Sequence, residues 1–204
     1  RGPLWWAAHH RRHHRHSDTE KDMHSPNSNS LFWSHTLWFM TDYAVPTFLK
    51  EIPDWLKFPE LRFINRYDWI PVVFWAGGAY VLGEWSWFST LTGMNGMMSF
   101  LWGFVVPTIL LYHGTFAVNS LTHLWGKKRF ETGDESRNNA FVALFTFGEG
   151  WHNNHHFFPG SARQGFFKGE LDMTYLGLRF LSLFGLVREL RPVPAWVKNK
   201  AKDL

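Results

Sequence analysis

The sequence contains no cysteine, and that absence excludes several classes of protein at once. No disulfide framework, thiolate-held zinc or cysteine-ligated iron–sulfur cluster can form. Any metal must be held by imidazole and oxygen. Charge of one sign is also scarce: 21 Lys and Arg stand against 17 Asp and Glu, a net +4. Long basic runs are missing, so nucleic acid is not an expected partner. A G-x-S-x-G nucleophile motif is missing too, which argues against serine hydrolysis. The chain opens Arg1-Gly2-Pro3, with neither an initiating Met nor a signal peptide. A cluster of histidines follows so closely that the chain is expected to be the C-terminal portion of a longer protein.

What the sequence has in excess is aromatic. Phe, Trp and Tyr make up 19% of 204 residues, with 13 Trp and 20 Phe. Trp is favoured where a ring spans the boundary between hydrocarbon and water. Two apolar stretches stand out. Residues 69–91 contain one ionisable side chain, Glu84, and residues 97–119 contain one, His113. A helix of either length runs roughly 34 Å, enough to cross a bilayer core. Inside hydrocarbon both Glu84 and His113 are costly without a partner. The link at 92–96 is short and uncharged. Arg62 and Arg66 precede the pair, and Lys127, Lys128 and Arg129 follow it. By the positive-inside rule these flanks are cytoplasmic. The two helices then form a hairpin that brings residues 1–66 and 120–204 to one cytoplasmic face. Residues 31–48 and 171–190 mix apolar and polar side chains and are expected to be interfacial helices.

The second excess is histidine, 12 in all. His10, His13 and His14 form H-x-x-H-H, and His152, His155 and His156 form it again. On a helix, positions i, i+3 and i+4 share a face, so each triplet is expected to aim three imidazoles at one point. Converging nitrogen lone pairs on a rigid backbone are what a transition metal requires. Between the triplets, Asn119 and His123 lie four residues apart at the end of the second apolar stretch. Singly, each of these residues has a plain reading: a solvated basic loop, a helix-end histidine, a capping asparagine. Together they exceed what one tetrahedral zinc can use, and they suit a two-metal oxidase beside a lipid phase.

Three segments also resemble a known family. His10-Arg11-Arg12-His13-His14-Arg15-His16-Ser17-Asp18-Thr19-Glu20 is similar to the second histidine box of the stearoyl-CoA (Δ9) desaturase family of membrane fatty acid desaturases. Gly148-Glu149-Gly150-Trp151-His152-Asn153-Asn154-His155-His156-Phe157-Phe158-Pro159 is similar to the third. Val118-Asn119-Ser120-Leu121-Thr122-His123-Leu124-Trp125-Gly126 resembles the N-S-x-x-H element between them. The likeness runs from near residue 4 to about residue 194, in the same order and spacing.

The resemblance implies an all-α integral membrane protein: a bundle of spanning helices, of which two of four are present, under a cytoplasmic helical cap holding a di-iron site. It implies two irons (Fe2+/Fe3+) on His10, His13, His14, His123, His152, His155 and His156, with Asn119 holding a metal-bound water and O2 as co-substrate. The implied reaction is desaturation of a fatty acyl chain, an acyl-CoA or acyl-lipid, at a Δ9-type position. Two electrons come from the substrate and two from a donor of cytochrome b5 or ferredoxin type. Membrane lipid is the surrounding partner, and the metal site faces the cytoplasm.

Two departures qualify this. The family's first box, H-x-x-x-x-H, has no counterpart in residues 1–204, so this stretch alone is expected to be inactive. Animal acyl-CoA enzymes also carry Arg-Asp where this chain has Ala8-His9, and Arg-Lys near Thr41-Asp42. That weakens the expectation of CoA, although Arg11, Arg12 and Lys50 offer substitutes, since a polyanion rewards such donors. A hydroxylase or ketolase of the same histidine-rich class is the nearest alternative. A non-catalytic metal-binding membrane protein is the more distant one.

Overall fold

A computed structural model describes residues 1–201. Among these residues every regular element is helical, and the only strand-like pairings are isolated bridges at Lys127, Asn138 and Trp151. The chain divides into two compact units. One comprises residues 1–15 with 42–113, the other residues 16–41 with those from 114 onward.

The first unit opens with α1 (Pro3–His16). Proline at the first helical position sacrifices no intrahelical hydrogen bond. Leu4, Ala7 and Ala8 are buried with Ile52, and Phe48, Trp55, Leu56 and Leu61 pack around them. The Trp5 indole donates to the Ala44 carbonyl at 2.6 Å. Short 3-10 turns lead from there to α2 (Pro59–Arg66).

The hairpin follows. The first apolar stretch folds as α3 (Trp69–Glu84) and α4 (Ser86–Thr92), separated by the extended residue Trp85 (φ −73°, ψ 120°). A left-handed Gly93 (φ 71°) stops α4. Asn95 then caps α5 (Gly96–Phe100), its side chain accepting from the Met98 amide at 2.9 Å. After a π turn at Leu101–Val105 the helix continues as α6 (Val106–Leu121). Pro107 lacks the amide that would bond the Gly103 carbonyl. The Trp75 indole takes that carbonyl instead, at 3.1 Å, and so ties α3 to the returning helix. At the tip, Glu84 accepts the Gly96 amide at 2.9 Å. The costly carboxylate therefore has a partner in the hairpin itself. His113 is exposed on α6.

One helix among the described residues, Gly96–Leu121, is long and apolar enough to cross a membrane, and little of it is buried. At 16 residues α3 runs about 24 Å. It exposes Phe74, Trp75 and Val81.

In the second unit, residues 31–48 begin not as one interfacial helix but as a π turn at Trp33–Leu37 and a 3-10 turn at Trp38–Met40. The extended Thr41 ends that run. Beyond α6 lie α7 (Ala140–Phe145), α8 (His152–Phe157), α9 (Met173–Leu183) and α10 (Ala195–Lys198). Asn139 caps α7 and Asp172 caps α9. Phe130, Phe166 and Val197 form the unit's apolar core.

Candidate metal centre

Both histidine boxes are helical, one on α1 and one on α8, as their spacing requires. Neither aims three rings at one point. On α1 the i, i+4 pair His10 and His14 meets, Nε2 to Nε2, at 3.1 Å. The His13 ring stands 6.3 Å from that of His10 and 5.6 Å from that of His14. On α8 the i, i+4 pair is again the close one, His152 and His156 at 4.3 Å between centroids, whereas His155 is 5.9 Å from each. The cause is helical geometry: residues at i+3 and i+4 differ by about 100° around the axis, so only one of them can follow the first ring closely.

The second unit adds His123 to the α8 pair. His123 lies past the end of α6, in a turn where the Leu124 and Trp125 amides both donate to the Leu121 carbonyl. That turn carries its ring to His152, with the two Nε2 atoms 3.1 Å apart. His123, His152 and His156 each offer a ring nitrogen within 4.8 Å of the others. All three side chains are deeply buried. Asn119, one turn earlier on α6, is half-buried.

Two carboxylates orient two rings of this trio. Asp18 accepts from His123 Nδ1 at 2.7 Å. It also accepts from the Glu135 amide at 2.8 Å, Ser25 at 2.6 Å and Asn27 at 2.9 Å. Asp134 accepts from His156 Nδ1 at 2.7 Å and from Thr132 and Ser136. Burial by itself raises the pKa of both carboxyls. At Asp18 the hydrogen bonds from His123, Ser25 and Asn27 and the attraction to His123 together outweigh it, and at Asp134 the hydrogen bonds from Ser136 and Thr132 with the attraction to His123 do, so each is held below the usual carboxylate range. An ionised carboxylate on Nδ1 fixes the tautomer whose Nε2 carries the lone pair. Nε2 lone pairs facing one another at 3.1 Å suit a cation between them, so the donor set fits a metal. Sequence reasoning assigned no role to Asp18 or Asp134. Their signals were local: the Asp134 side chain accepts the Ser136 amide at 3.0 Å, two residues on, and Asp18 sits at φ 58° just after α1.

The arginines of the α1 histidine box are spent on structure. Arg11 makes a bidentate pair with Asp54 at 2.6 and 2.8 Å, and Arg15 pairs with Glu51 at 2.7 Å. Arg12 donates to the Tyr43 hydroxyl at 3.0 Å and lies over the Phe48 ring.

Comparison with known proteins fits these helices and histidines. The fatty acid desaturase family matches residues 1–164. The chain belongs to that family. Among its relatives is the sn-1 stearoyl-lipid 9-desaturase of Synechocystis, 36% identical over 98% of this chain and 59% of that protein. The palmitoyl-monogalactosyldiacylglycerol delta-7 desaturase of Arabidopsis thaliana is 37% identical over 93% of this chain and 48% of its own length. The acyl-CoA C20 Delta5-desaturase of Anemone leveillei is 36% identical over 97% and 60%. The chain thus spans about half to three-fifths of these relatives. Their names divide between lipid and CoA substrates and among three double-bond positions, so the comparisons place this chain in the fatty acid desaturase family and no finer.

Proposed function

We propose that the protein is a membrane desaturase that uses O2 and a histidine-held pair of irons to introduce a double bond, of Δ9 type, into a fatty acyl chain. The observation that carries this reading is the buried trio His123, His152 and His156, with the Nδ1 atoms of His123 and His156 held by Asp18 and Asp134. The ligands are His10, His13, His14, His123, His152, His155 and His156, with Asn119 acting through water. When bound, the irons supply the activation of O2 and the removal of two hydrogens from adjacent carbons. The chain's own residues do the rest. Asp18 and Asp134 hold the Nδ1 protons of His123 and His156 and so leave the Nε2 lone pairs of those rings available to a metal.

The substrate is an acyl-lipid or acyl-CoA. Arg11 and Arg15 are already matched to Asp54 and Glu51, which supports a lipid more than a polyanionic CoA. A donor of cytochrome b5 or ferredoxin type supplies two electrons. The apolar, exposed α3 and the Gly96–Leu121 helix support a multi-pass hairpin with the histidines on the cytoplasmic side.

The test is fatty acid analysis by gas chromatography in a desaturase-deficient host expressing the full-length protein that carries residues 1–204 together with a first histidine box. Unsaturated product is expected from the parent and none from His155→Ala. A hydroxylated product, or full activity of His155→Ala, contradicts the reading.

A further inference from the structure

We propose that Asn153 and Asn154, the two residues inside His-Asn-Asn-His-His, are positioning residues that fix the rotation and height of α8 and thereby the geometry its imidazoles offer a metal. The inference rests on the metal reading above.

A helix of six residues cannot hold itself, since its nucleus costs more than so few hydrogen bonds return. Nor does α8 have an apolar face to dock with: its single apolar side chain is Phe157, stacked on Phe130 at 4.3 Å. It buries instead His152, Asn153 and Asn154, and both asparagines are fully enclosed. Asn153 Oδ1 accepts the backbone amides of Arg129 at 2.8 Å and Phe130 at 2.7 Å, and its Nδ2 donates to the Phe130 carbonyl at 3.1 Å. Asn154 Nδ2 donates to the Gln164 carbonyl and to Glu170, both at 2.9 Å. Its Oδ1 accepts from Asn138 Nδ2 at 2.6 Å, and its amide donates to Asn138 Oδ1 at 3.1 Å.

These bonds are directional and reach two separate segments, around 129–138 and around 164–170. A turn of α8 about its axis would break them together. Asp134, which holds His156, lies on the first of those segments, so the backbone that clamps Asn153 also carries the partner of a ligand. Metal bonds tolerate displacements of only about 0.2 Å, so a clamp at the residues between ligands acts where precision is needed.

An amide is required at both positions. An aspartate at 153 keeps the two amide donors but sets a carboxylate oxygen against the Phe130 carbonyl. One at 154 faces the Glu170 carboxylate.

The experiment is Co2+ titration of the purified full chain in detergent, following the visible ligand-field bands. Asn153→Asp and Asn154→Asp are expected to weaken Co2+ binding by about 10- to 100-fold and to shift the bands. Val142→Ala, a buried position on α7, is expected to lower the melting temperature with affinity and spectrum unchanged. Should the aspartate variants not fold, Asn138→Ala removes a partner of Asn154 without altering α8, and several-fold weaker binding is expected. Folded aspartate variants with the parent's affinity and bands overturn the proposal, as does a parent-like Asn138→Ala where they do not fold. A parent chain that binds no Co2+ overturns the metal reading instead.

Discussion

The helices α1 and α8 carry the same H-x-x-H-H spacing and are secured by opposite means. With 14 residues, α1 has room for an apolar face, Leu4, Ala7 and Ala8 on Ile52. It adds a rim of exposed ion pairs, Arg11 to Asp54 and Arg15 to Glu51. At six residues α8 has no such face, and it is fastened through buried amides and a carboxylate. A ligand helix with length to spare is held by burial, which is non-directional and tolerant. A short one is held by hydrogen bonds, which fix orientation and fail all at once.

Three substitutions would break or sharpen that contrast. Ile52→Ala, on the α1 side, should have the largest effect on stability. Removing a fully buried side chain costs roughly 2–5 kcal/mol. Thermal unfolding should show that loss while the folded fraction still binds metal as the parent does. On the α8 side, Asp134→Asn should do the reverse. It removes the charge that orients His156, and about 10- to 100-fold weaker metal retention against a chelator is expected with little change in melting. Unchanged metal retention there would mean that the Asp134 charge does not orient His156. The smallest effect belongs to Asp54→Asn. The hydrogen bond from Arg11 lowers the Asp54 pKa from 3.8 to about 2. Its contribution is therefore present above about pH 4 and is lost as pH falls toward 2. The melting temperature of Asp54→Asn should lie slightly below the parent's at neutral pH and converge with it in acid. Because the pair is exposed, the difference is small.

Much of this was legible in the sequence because helical periodicity and imidazole chemistry are local. The two boxes fall on helices, and the apolar stretches fold back as a hairpin. The turn at 92–96 has the left-handed Gly93 and the Asn95 cap that such a link requires. What could not be read depended on fine angles or on distant partners. The break at Trp85 follows from one backbone angle inside an apolar run. His123 reaches His152 only because α6 ends at Leu121 and a tight turn follows. Asp18 and Asp134 carried no assigned role, since their partners lie 105 and 22 residues away. Glu84 pointed to a missing neighbour, yet it is satisfied within the hairpin by the amide of Gly96.

The central claim is that these imidazoles hold iron, and metal analysis of the purified full-length protein that carries residues 1–204 tests it most directly. Elemental analysis of anaerobically purified protein should find iron approaching two per chain, and His152→Ala should lose most of it while remaining folded by circular dichroism. Zinc at one per chain, or iron unchanged in His152→Ala, would contradict the account.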